Sequence, residues 1–131
     1  MSTQPTHESA LGDDRHFLWG YVERDTATTA PSHSLRVWCS WCCVWHQHSL
    51  PGGARAGDST HRSAHCYAPD SPYRFHSVQI TVSAASFGEV RGTVREATPR
   101  QQSMISQRMI TPAVARLRRQ TPAMALSRGC G

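Results

Sequence analysis

The clearest patterning in the chain lies in YRFHSVQITV, residues 73–82, where Val78, Ile80 and Val82 alternate with Gln79 and Thr81. A period of two is that of a half-buried β-strand. HFLWGYVER (16–24) predicts a second strand, rich in aromatic residues, and SLRVW (34–38) a third that leads into a cysteine cluster. The stretches between them read as connections. DTATTAPS (25–32) is a loop, and SLPGGARAGDS (49–59) carries too much Pro and Gly for regular structure. APDSPYRFHS (68–77) holds two prolines and an adjacent arginine and aromatics, and predicts a rigid turn into the last strand.

Beyond residue 84 the pattern changes. Thr98 and Pro99 form a helix-start signal, an N-cap followed by proline at the first helical position. TPAVARLR (111–118) and TPAMALSR (121–128) resemble one another loosely, a likeness that biased composition explains. Each can start a helical turn, but Pro112 and Pro122 exclude one continuous helix. The expected organisation is a disordered acidic head (1–14), a β-rich domain (15–83) and a partly helical or disordered basic tail (84–131). The expected fold class is a small zinc-ribbon-like domain, two β-hairpin halves around one metal.

Composition sharpens this. Only 38% of the residues are apolar, so the core is small, and small cores are commonly completed by a metal, a disulfide or a partner. Lysine and asparagine are both absent. Their codons are AT-rich, so part of the arginine content reflects coding composition. Residues 1–30 hold five acids against two arginines, whereas residues 91–131 hold eight arginines against Glu96 alone. A tail of that charge is either a solvated extension or an attraction for anionic partners. MSTQPTHESALGDD reads as neither a signal nor a transit peptide. The most apolar run, Val37 to Trp45, is too short for a bilayer, so the expectation is a cytoplasmic chain with no membrane partner. In that compartment clustered thiols stay reduced and serve as metal ligands or redox groups rather than structural bridges.

RVWCSWCCVWHQHS (36–49) and HRSAHC (61–66) bring together Cys39, Cys42, Cys43, His46, His48, His61, His65 and Cys66. The C-x2-C spacing of Cys39 and Cys42 lets one tight turn aim two thiolates at one zinc ion, and the glycine-rich loop lets the second half fold back. His61 with His65, His61 with Cys66, or His65 with Cys66 can complete the tetrahedron. The favoured set is Cys39, Cys42 and Cys66 with one histidine, His61 ahead of His65. His46 and His48 stay open as fourth ligands. Closed four-ligand sites are structural, so one structural Zn2+ is expected.

Two chemistries compete. WCSWC has the W-C-x-x-C form of a thiol–disulfide oxidoreductase, but that chemistry needs an exposed first cysteine at a helix N-terminus, and CVWHQHSLPGG is a poor helix. A histidine-based metal nuclease ranks lower, because turn and strand follow the site where a helix is required. Trp38, Trp41 and Trp45 read first as core around the metal and second as a base-stacking platform served by Arg36, Arg62 and Arg74.

The arrangement resembles a group of small actinobacterial proteins with the pattern C-x2-C-x2-W-H-x-H, a glycine-rich gap, H-R-x-A-H-C and S-P-Y-R. Cys39, Cys42, Trp45, His46, His48, His61, Arg62, Ala64, His65, Cys66, Ser71, Pro72, Tyr73 and Arg74 meet it. The likeness spans residues 16–82. It departs at Ser49 and Leu50, where glycine is expected, and in a gap lengthened by PGGARAGDS. The resemblance implies metal binding and no particular activity. The functional expectation is a zinc-stabilised binding or regulatory protein, with nucleic acid the first candidate partner. Thiol–disulfide exchange at Cys39 and Cys42, or docking of another protein, are the alternatives.

Overall fold

The computed structural model describes residues 17–25, 32–50 and 52–122. The acidic head and most of the second TPA copy lie outside them. Five strands, β1 (Phe17–Asp25), β2 (Ser32–Cys39), β3 (Val44–Ser49), β4 (Ser59–Ser63) and β5 (Ser77–Ser86), form one sheet in the order β3-β2-β1-β5-β4. β1 runs parallel to β5, and every other neighbouring pair is antiparallel. The chain is β-rich, as expected. The hairpins β2–β3 and β4–β5 lie at opposite edges, with β1 inserted between them.

Strand alternation sorts the side chains onto two faces. On one, Leu35 and Val37 of β2 pack with Val78, Ile80 and Val82 of β5, and Leu18 and Val22 of β1 join them. Gly20 lies at the centre of this face. A Cβ there would stand 2.6 Å from Ile80 Cγ2 and 3.1 Å from Leu35 Cδ2, so the packing requires glycine. The opposite face is aromatic. Tyr21, Trp38 and Trp45 pack with Phe87, and Trp45 meets the other three rings edge-on at centroid distances of 5.0–5.7 Å.

β5 begins later than its pattern predicts, because residues 72–75 form a turn, and it continues past residue 84 to Ser86. A short helix α1 (Phe87–Val90), a 3-10 turn (Arg91–Thr93), α2 (Pro99–Ser106) and α3 (Pro112–Arg118) follow. α2 starts at the expected cap: Thr98 Oγ1 accepts from Gln101 N, and Gln101 Oε1 accepts from Thr98 N. Thr111 caps α3 in the same way, accepting from Val114 N ahead of Pro112.

These helices are part of the packed structure. Ala97, Ile105 and Val114 are buried in one cluster with Cys39, Cys42, Cys43 and Ala68. Hydrogen bonds hold the approach: Ala97 N donates to Cys43 O at 2.8 Å, and Trp45 N donates to the Glu96 side chain, Oε2, at 2.8 Å. β3 is an edge strand, so Glu96 satisfies a donor that would otherwise face outward. The guanidinium of Arg118 makes a paired contact with the Asp70 carboxylate at 2.6 and 3.0 Å and lies 5.2 Å from the Trp41 ring centroid.

Candidate metal centre

Cys39 closes β2, and a four-residue turn, Ser40 to Cys43, leads into β3. Cys43 N donates to Cys39 O at 2.8 Å across that turn, and Cys43 adopts a left-handed φ of 57°. The hairpin register then decides which histidine approaches. Val37 pairs with His46 and Cys39 with Val44, so His46 projects from the same face as Val37 and Cys39. Cys66 arrives from the segment leaving β4, where His65 turns the chain at φ 63°.

Cys39, Cys42, His46 and Cys66 each bring one ligand atom into a group whose members all lie within 4.8 Å of one another. Cys39 Sγ and Cys66 Sγ are 3.5 Å apart, and all four described cysteines are free thiols. Tetrahedral zinc with Zn–S bonds near 2.3 Å needs sulfur–sulfur edges of about 3.8 Å. The spacing fits a metal tetrahedron and is far longer than a disulfide bond. Cys39 and Cys42 are buried, Cys66 and His46 half-buried. Nε2 of His46 is buried with no hydrogen-bond partner among the described residues.

Donors surround the sulfurs as they would thiolates. Cys42 N reaches Cys39 Sγ at 3.3 Å. Tyr67 N and Ala68 N reach Cys42 Sγ at 3.2 and 3.4 Å, and Ser71 Oγ reaches Cys66 Sγ at 3.3 Å. The Tyr67 hydroxyl donates to the Cys42 carbonyl. Such outer donors fix ligand orientation and spread negative charge. Without a cation the three thiols compete. Hydrogen bonds from Cys39 and Cys42 hold Cys66 far below the ordinary thiol range. Cys39 is driven far above it by its bonds with Cys42 and Cys66. Cys42 is pushed up to about 12: its bond with Cys39 lowers it, but the bond with Cys66 and burial outweigh that. One thiolate is favoured and three are not, because like charges in contact resist joint ionisation. A divalent cation removes that conflict.

The group takes its imidazole from His46 and leaves out His61 and His65, the histidines favoured from sequence. His61 lies on β4 opposite Gln79, whereas its neighbours Thr60 and Arg62 oppose the buried Ile80 and Val78. It therefore occupies the face of the sheet away from Cys39. His65 is exposed and stacks on His48 at 4.9 Å. His48 is buried outside the group, its basicity pushed down to about 4 by desolvation and by His65 and His46. Cys43 is also outside it, its thiol directed at Ser40 O and raised by burial. The signal that identifies His46 is the hairpin itself. Continuing β2 through Cys39 and turning over four residues sets positions 39 and 46 on one face.

Trp38 and Trp45 belong to the aromatic core, and Trp41 lies half-buried under Arg118. Arg36 bonds Glu23 at 2.6 Å, Arg62 bonds Thr60 and the His61 carbonyl, and Arg74 lies over the exposed ring of Phe75. Cys39 and Cys42 are only 2% and 0% exposed; Cys39 ends β2 and Cys42 lies in the turn into β3, not at a helix N-terminus. Neither requirement of a W-C-x-x-C redox site is met by that arrangement. No helix among the described residues is long and apolar enough to cross a membrane. No protein-family model matches the chain, and neither the curated proteins nor the solved structures contain a significant match to it.

Proposed function

We propose that this chain is a small binding protein whose fold is organised by one structural Zn2+ on Cys39, Cys42, His46 and Cys66. The observation that carries this reading is the convergence of three sulfurs and one imidazole within 4.8 Å. Soft thiolates with one imidazole and no carboxylate favour zinc over magnesium, calcium or manganese. Four protein ligands leave no open position for substrate, so the ion acts on folding rather than on a reaction. The zinc-ribbon likeness belongs to the same proposal: hairpin β2–β3 supplies three ligands and the segment leaving β4 the fourth. Elemental analysis of the purified full chain tests it, with about one zinc per chain expected and lost in Cys39→Ser and Cys66→Ser. A zinc-free chain with an intact sheet overturns it.

Nucleic acid is the partner we propose. Arg91, Arg95, Arg100, Arg108, Arg116 and Arg119 are exposed along residues 87–122, where Glu89 and Glu96 are the acids. Cations so distributed attract phosphates without regard to base sequence, and the affinity then falls steeply with salt. Fluorescence anisotropy with a labelled single-stranded oligonucleotide across a salt series reads this directly. Binding that is absent, or indifferent to salt, rejects it. Protein docking is the second reading. It is favoured by the pair Phe17 and Trp19, 39% and 41% exposed on β1 with ring centroids 5.9 Å apart.

A further inference from the structure

The three thiols of the centre differ in access. Cys39 and Cys42 are buried, whereas Cys66 is half-buried on the segment after β4. They differ also in how they are held. Cys42 Sγ receives two backbone N–H groups, from Tyr67 and Ala68. Cys39 Sγ receives one, from Cys42, and lies 3.5 Å from Cys66 Sγ. A small oxidant entering from solvent therefore meets Cys66 first. Both buried sulfurs lie within 4.8 Å of it, and the less tightly held of the two is Cys39.

We infer that Cys66 and Cys39 form an oxidation site for hydrogen peroxide, in which the pair becomes a disulfide and the metal is expelled. The inference rests on the zinc reading for the expulsion, but not for the pairing. The Cys66 thiolate attacks one peroxide oxygen, the O–O bond breaks, and hydroxide leaves with Cys66 as the sulfenic acid. The Cys39 thiolate then attacks Cys66 Sγ, the S–S bond forms and a second hydroxide leaves. Two protons convert the hydroxides to water. Two sulfurs have lost one electron each, and one peroxide has gained two. The sulfurs close from 3.5 Å to about 2.05 Å. Only Cys42 and His46 then remain as ligands, too few to retain zinc.

The test uses the full chain, zinc-loaded, with hydrogen peroxide as probe. Released zinc is followed with a chromogenic chelator, and disulfides are mapped by peptide mass spectrometry. The expected result is zinc release in step with a Cys39–Cys66 linkage, both reversed by dithiothreitol, and at an unchanged rate in Cys43→Ser. The inference is overturned if zinc is retained and the thiols stay unreacted under excess peroxide. It is equally overturned if the first disulfide joins Cys39 to Cys42 or recruits Cys43 or Cys130. The same mapping on metal-free chain separates the two claims. A zinc-free protein that still forms Cys39–Cys66 keeps the oxidation site and loses the zinc reading, whereas a zinc-loaded, peroxide-inert protein does the reverse.

Discussion

Val37 on β2 stands directly across the hairpin from His46 on β3, two residues before Cys39 on the same face. That pairing draws His46 into the sulfur group, while the separate register of β4 on β5 leaves His61 on the far side of the sheet. His46→Ala should therefore weaken zinc binding by more than the 10–100-fold typical of losing an outer-shell partner. His61→Ala should leave affinity unchanged. Competition titration against a chelator of known affinity checks both, and equal losses in the two variants would refute the assignment.

Zinc loading should release protons. In the metal-free centre one thiolate, that of Cys66, is favoured while Cys39 and Cys42 are pushed upward. Coordination ionises all three, so about two protons should leave per zinc at neutral pH. Calorimetry in buffers of differing ionisation enthalpy counts them. Apparent affinity should fall as pH is lowered, because protons then compete for the sulfurs.

The helices after residue 97 should matter for stability as much as the strands do. Ile105 is fully buried against the cysteine turn. Its truncation to alanine should cost about 2–5 kcal/mol, the range for a buried isoleucine. Chemical denaturation of the zinc-loaded chain reads this, and a loss below about 0.5 kcal/mol would mean the segment behaves as an exposed surface.

Asp70 and Arg118 should link α3 to the site in a pH-dependent way. The hydrogen bond from Arg118 holds the Asp70 carboxyl below its ordinary value. A carboxyl depressed on folding contributes fully above its unfolded value and loses that contribution as pH falls through its folded one. Asp70→Asn should then show a constant, small stability deficit at neutral pH that vanishes only in acid, below the unfolded carboxyl value of 3.8. Thermal melts of both proteins from neutral to acid pH measure the difference; a deficit growing toward acid would contradict the pairing.

Much of this is legible in the sequence alone. The period-two run around Val78, the aromatic strand expected at 16–24 and found at Phe17–Asp25, the Thr98–Pro99 helix start and the clustering of Cys39, Cys42 and Cys66 all rest on local rules, which neighbours along the chain suffice to express. The choice of His46 over His61 does not. It depends on strand register, in which a shift of one residue moves a side chain to the other face. The fate of residues 97–118 was equally hidden. Their arginines and prolines give them the composition of a solvated tail, and the apolar residues that meet the cysteine turn, Ala97, Ile105, Val114 and Leu117, are few and widely spaced. Local pattern sufficed for β1, β2, β5, the start of α2 and the chemistry on offer, whereas β3 and β4 form only through their pairing with β2 and β5. Tertiary structure alone decided which histidine reaches the sulfurs and what covers them, because both are contacts between segments that no local pattern encodes.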